Sequence, residues 1–244
     1  MRVRKILILF VLPAGWQMEV DVDFLLKIGN GLALLGISFI AGIIVVAVHE
    51  SAHAFTSWKM GDNLPRFGRR LSLNPLRHVD FVGLLFMVQT GFGWGKPVQT
   101  SPKNYKDKKK GIILNGISGP LANILLATLI AFILAFVEIR VEQGKLLLGG
   151  YTEIYLLTFL KDLFIFSLNL ALVSLIPMKP FDGFMIWGGL IPPKNQFKIF
   201  QFQGIMLAVF LLVILIAPEI LTSITRPLGG LIELSARGIV SLMI

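Results

Sequence analysis

From Gly31 to Val48, and again from Gly111 to Val137, the chain carries no charged side chain. A helix needs roughly 17–25 apolar residues to cross a hydrocarbon layer of about 30 Å, and both runs reach that length. Inside such a layer each segment must satisfy its own backbone N–H and C=O groups, so both runs are expected to be helical. A water-soluble globular reading fits poorly: of 244 residues 55% are hydrophobic and 15% charged, with a mean hydropathy of +0.78.

The reading is therefore an all-α polytopic membrane protein with about four spanning helices plus a re-entrant or interfacial hairpin element. The first crossing starts at Gly31 and its apolar pattern continues to Trp58. Gly111 to Val137 is the second, Ile154 to Pro177 the third and Gln203 to Thr225 the fourth. Phe81 to Trp94 is apolar but short and broken by Gly83, Gly91 and Gly93, which suits an element that enters or lies on the membrane without crossing it. Lys161 and Asp162 interrupt the third crossing and are expected near its outer boundary, paired or snorkelling. Residues 1–30 are assigned to an N-terminal membrane-surface segment, 31–225 to the membrane core and 226–244 to an amphipathic tail. The start, "MRVRKILILFVLPAGW", has a basic end and a short apolar run but no small-residue cleavage pattern, so it is read as retained.

A net charge of +9 raises the question of nucleic acid, but no nucleic-acid motif accompanies it and no such partner is expected. In a chain this apolar, basic residues mark cytoplasmic loops. Residues 59–110 carry eleven Lys or Arg against three acids, while the loop from Glu138 to Glu153 carries only Arg140 and Lys145. Residues 59–110 are accordingly placed in the cytoplasm, with the bilayer itself as a partner. The third crossing returns to that side, followed by Lys179, Lys194 and Lys198. Helix one would then start outside, which conflicts with the basic N-terminus unless residues 1–25 re-enter or lie along the membrane.

Ionisable groups are costly in a spanning helix and usually functional. The end of the first run nevertheless reads "VAVHESAHAF", with His49, Glu50 and His53. Positions i and i+4 share a helix face, so the two imidazoles can meet one ion with Glu50 beside them. That spacing suits zinc: two histidines and a carboxylate leave a fourth position for water, whose pKa the ion lowers. Glu50 is then the candidate general base and acid. With no cysteine in the chain, the third ligand must be the remaining histidine or an acid. The candidates are His78, Asp80 and Asp182. Asp182 lies in "LIPMKPFDGF", where Pro177 and Pro180 break the helix, and the topology returns it to the side of His53. His78 and Asp80 are expected to organise the basic loop or stand behind the ligands.

Five ordered blocks, "HESAHAF", "RRLSLNPLRHVDFVG", "GFGWGKPVQTSPKNY", "NGISGPLANILLA" and "LIPMKPFDG", are together similar to the site-2 protease family of intramembrane zinc metalloproteases. They span roughly residues 40–190, and the likeness is to the compact branch without PDZ or CBS domains. The resemblance implies His49, His53 and Asp182 as zinc ligands and Glu50 as the catalytic residue. It also implies a transmembrane protein or peptide substrate, cleaved within or near its spans, and a multi-pass cell-membrane location with the active site nearer the cytoplasm. Asn123 falls on the family's Gly-Pro-Leu-x-Asn block, where its amide serves either the substrate or helix packing. Four positions depart from the pattern: Ser174 replaces the usual Asn, Lys179 an apolar residue or proline, Gly95 an alanine and Phe81 a proline. None removes a ligand or the base. A catalytically silent helix-binding relative and a metal- or proton-handling membrane protein remain as alternatives; residues 91–95 are a candidate edge for docking an extended substrate.

Overall fold

The computed structural model describes residues 22–190 and 202–244, with side chains from 27 to 188 and 202 to 244. The basic N-terminal stretch before residue 22 and the positions Lys194 and Lys198 lie outside the described residues. Among the described residues every regular element is helical, as expected of a polytopic all-α protein.

Helix α1 runs Val22–Lys59, and its first turns precede the expected start at Gly31. The single turn α2 (Leu64–Phe67) and the ten-residue α3 (Phe81–Thr90) follow. Helix α3 is about 15 Å long at the 1.5 Å rise of a helix, too short to cross. Asp80 caps it, its carboxylate accepting the Gly83 N–H at 2.8 Å, which gives this acid a local structural task. Helices α4 (Lys108–Glu142) and α5 (Tyr151–Ser174) come next, then the short α6 (Asp182–Leu190). Among the described residues three segments are long and apolar enough to cross a membrane: Lys27–Lys59, Lys108–Glu142 and Tyr151–Ser174. Helices α7 (Gln203–Ile216) and α8 (Glu219–Met243) meet at an 86° bend and make a fourth crossing only if counted as one span. The expected segment from Gln203 to Thr225 thus breaks at Ala217–Pro218, and the last helix starts at Glu219, ahead of the tail expected from residue 226. Hydropathy sums across such a break because both sides are apolar; a proline that cannot donate to the preceding turn ends the helix.

Helices α1, α4 and α5 form the core. Apolar side chains gain little by leaving lipid for one another, so close packing has to hold these helices together. The small residues Ala41, Ala127 and Ala131 bring the backbones close, and Val45, Leu134, Leu163 and Phe164 interlock around them. Leucines on the outer face of α4, such as Leu125 and Leu129, stay exposed and suit lipid. Polar groups between these helices are partnered. Ser38 on α1 donates to Asp162 on α5 at 2.6 Å, Tyr155 donates to Asn30 at 2.9 Å, and Lys161 lies 3.4 Å from Glu138. A lone carboxylate at the centre of a spanning helix costs about 2.5–3.5 kcal/mol; Asp162 lies midway along α5 and not at its end, so the Ser38 bond is what accounts for it without a relay.

Candidate active site

Helix α1 carries His49, Glu50 and His53 about 9–15 Å inside its basic end at Lys59, counted at 1.5 Å per residue. All three are buried. Helix α5 ends at Ser174, and the turn that follows delivers Asp182 at the head of α6 to the same point. His49 Nε2 lies 3.0 Å from one Asp182 oxygen, His53 Nε2 lies 3.1 Å from the other, and the two Nε2 atoms are 3.2 Å apart. Among the described residues this is the one group of three or more His, Asp or Glu side chains close enough to hold a metal ion. His78 and Asp80, the other two candidates, are not in it.

The donor set fits zinc. The backbone carbonyl of Asn115 can only accept, so at 2.8 Å it fixes the proton of a neutral His53 on Nδ1 and leaves Nε2 with a bare lone pair. The buried Asp182 Oδ2 makes no hydrogen bond despite its closeness to His49. The His53 lone pair, His49 Nε2 and a carboxylate therefore converge to within about 3 Å, a set of donor atoms whose mutual repulsion a cation among them would relieve. The triangle is sized for bonds of about 2.0–2.2 Å, as zinc makes to nitrogen and carboxylate oxygen. Asn123, fully buried on α4, places its amide 3.3 Å from His49 Nδ1 with its own oxygen unpartnered. Turned so that this oxygen faces Nδ1–H, the amide orients the second imidazole as the Asn115 carbonyl orients the first.

Glu50 lines the same cavity as this triangle and is held by the loop that follows α3. Residues 92–100, which form no helix or strand, pass beside α1, and the Val98 N–H donates to Glu50 Oε2 at 2.9 Å. The Arg70 guanidinium stands 4.0 Å from the same oxygen and donates to the Lys96 carbonyl. The Lys96 N–H donates in turn to the His78 carbonyl at 2.8 Å. His78 is fully buried; its ring donates to the Ser72 carbonyl at 2.7 Å, which also accepts from Ser51, the neighbour of Glu50. His78 thus ties the basic loop to α1, and burial holds its ring below the ordinary imidazole pKa. One cavity of about 310 Å³ joins these parts, walled by His49, Glu50, His53, Trp94 and Asp182 and roofed by Leu207 of α7. Phe210 of α7 packs against Phe92 and Phe181, with ring centres 5.9 and 5.4 Å away.

Two glycines, Gly119 and Gly95, sit where an added Cβ would meet the site. A methyl at Gly119 would lie 2.7 Å from His49 Nε2 and closer still to His53 Nε2. A methyl at Gly95 would lie 2.8 Å from the His78 carbonyl and 3.1 Å from the Glu50 side chain. The block "SGP" was the visible signal for the first; Gly95, where the family has alanine, marks how tightly the segment 92–100 lies on α1 here. Gly119→Ala is expected to displace the imidazoles, with overpacking on the order of 1–3 kcal/mol. Zinc per chain in purified protein should fall well below that of the native protein while the helical circular dichroism is kept. At the other departures, Ser174 turns its hydroxyl onto the Ala171 carbonyl of its own helix, and Lys179 stacks its ammonium 4.8 Å over Phe184. Phe81 starts α3 and stacks on Phe39.

An apolar helical bundle with a buried two-histidine, one-carboxylate centre and an adjacent glutamate defines the class of membrane metallopeptidases. The chain belongs to the site-2 protease family of zinc metalloproteases. It is 31% identical over 184 residues to the protein named "Putative zinc metalloprotease YwhC" of Bacillus subtilis, covering 74% of this chain and 80% of that relative. The "Putative zinc metalloprotease Rip2" of Mycobacterium tuberculosis is 28% identical over 188 residues, covering 74% and 67%. The protein of that name from Mycolicibacterium smegmatis is 34% identical over 98 residues, 37% of each chain. No family model and no solved structure matches the chain. Zinc is the metal of this metalloprotease, as the relatives' names and the fit of the donor set agree.

Proposed function

We propose that the protein is an intramembrane endopeptidase of the site-2 type, cleaving membrane proteins within or near their transmembrane segments in regulated proteolysis. The observation that carries this reading is the placement of the whole catalytic set in one cavity walled in part by the spanning helices α1, α4 and α5. His49, His53 and Asp182 hold the ion. Bound there, zinc supplies Lewis acidity that polarises a peptide carbonyl and makes a water molecule nucleophilic near neutral pH. Glu50 takes the proton from the attacking water and hands it to the departing amine nitrogen. Its carboxylate is ready for this because the Val98 N–H occupies one oxygen and leaves the other free to face the cleft.

A helical substrate hides its peptide bonds in hydrogen bonds, so a stretch of it must unwind before hydrolysis. The segment 92–100, which is in no helix or sheet, offers a place for such a stretch to dock as an added strand, with residues 91–95 forming its start. The site opens towards the cytoplasmic end of the bundle in a cell-membrane protein, because the basic residues of 59–110 sit at that end. Purified enzyme reconstituted with single-pass membrane proteins should yield fragments whose termini, read by mass spectrometry, map within or next to the span. Cleavage confined to soluble domains would overturn the intramembrane reading. Tight capture of spans with no product would favour a silent helix-binding relative, and uncut substrate after deletion of residues 91–95 is the result expected of the docking strand.

A further inference from the structure

Asp62 has no part in the zinc centre, yet it is fully buried and holds four hydrogen-bond donors. One carboxylate oxygen accepts from the Leu64 N–H at 3.2 Å and the Asn104 side-chain amide at 2.8 Å. The other accepts from the Ser101 N–H at 2.7 Å and the Ser57 hydroxyl at 3.1 Å. Tyr105 donates to Ser57 at 3.2 Å behind it, and the Lys106 N–H donates to the Met60 carbonyl at 2.9 Å. Burial opposes the charge, but the Asn104, Ser101, Leu64 and Ser57 donors outweigh it and hold the carboxyl below its ordinary pKa. Residues 101–106 are thereby fastened to the last turn of α1.

That fastening lies directly beyond the segment that touches Glu50. From residue 97 to residue 100 the Val98 N–H bond to Glu50 is the sole hydrogen bond among the described residues. The position of Val98 is therefore set by its flanks: Lys96, held by His78 and Arg70, on one side, and Ser101, held by Asp62, on the other. We infer that Asp62 is a positioning residue of the active site, the anchor that fixes the segment 97–101 against Glu50. The inference rests on the protease reading for its effect on rate, and on geometry alone for its effect on the segment.

An amide cannot replace this carboxylate, because both oxygens face donors and Asp62→Asn turns an N–H₂ group onto one pair of them. The chain has no cysteine, so Gln99→Cys, at an exposed position in the segment, carries a single spin label. The test compares zinc-loaded, reconstituted full-length protein with and without Asp62→Asn, and with Ser57→Ala as a milder second variant that removes one donor. In Asp62→Asn the label is expected to become mobile, zinc to stay at about one per chain, and kcat to fall about ten- to a hundredfold through misplacement of Glu50. Ser57→Ala should move the label and kcat the same way by less. An unchanged label in Asp62→Asn overturns the inference, as does joint loss of zinc and helix content in both variants, which marks a general folding role. Should the native enzyme cleave nothing while the label responds, the protease reading fails and the anchoring holds; a silent label on an active enzyme defeats the anchor alone.

Discussion

Glu50→Gln is expected to leave zinc at the native level of about one per chain and to lower turnover by about 10²–10⁴-fold, the range general acid–base catalysis supplies. The change is nearly isosteric. A glutamine oxygen can still accept the Val98 N–H now bonded at 2.9 Å, so the segment 92–100 keeps its place. What the amide cannot do is accept a proton from water and return it to the leaving nitrogen. Single-turnover cleavage of a membrane substrate, with zinc measured on the same sample, separates the two effects. Loss of zinc together with turnover would show Glu50 to be a structural support of the centre, and unchanged turnover would remove it from the chemistry.

The second large effect is expected at Asp182. Changing one residue behind a ligand typically weakens metal binding about 10–100-fold, and removing a ligand outright should exceed that. Asp182→Ala is expected to lose most zinc and all measurable turnover. The reason lies in the contacts: the carboxylate bridges both imidazoles at 3.0 and 3.1 Å, so its removal leaves two neutral rings 3.2 Å apart with nothing to complete the triangle. Zinc per chain, by elemental analysis after dialysis, checks it. Full zinc retention in Asp182→Ala would show that another group holds the ion, and the site would have to be assigned afresh.

The bundle could be read from the chain because lipid imposes simple rules. A charge-free run from Gly111 to Val137 has few alternatives to a helix, and His49 and His53 one turn apart must share a face. Asp182 was the reasonable third ligand among three candidates, since Pro177 and Pro180 end α5 and turn the chain back; the structure puts it beside the histidines and gives Asp80 a helix cap instead. What escaped lies where no periodicity operates. The backbone N–H of Val98 has no sequence signature, and the service of Asp62 depends on a loop more than thirty-five residues later in the chain. Asn123, weighed as a substrate contact or a helix-packing contact, does lie between α4 and α1, but its partner there, His49 Nδ1, has no signature in the sequence. The break at Ala217–Pro218 was masked because a hydropathy sum takes no account of direction.

The account stands most directly on one titration. Native protein stripped of metal by a chelator and supplied with graded zinc is assayed for cleavage of one membrane-embedded substrate, alongside Asp182→Ala. Activity should return in proportion to bound zinc and stop rising at about one ion per chain, while the variant stays silent at every concentration. Cleavage by the zinc-free native protein, or its recovery in Asp182→Ala on adding zinc, would contradict the centre formed by His49, His53 and Asp182.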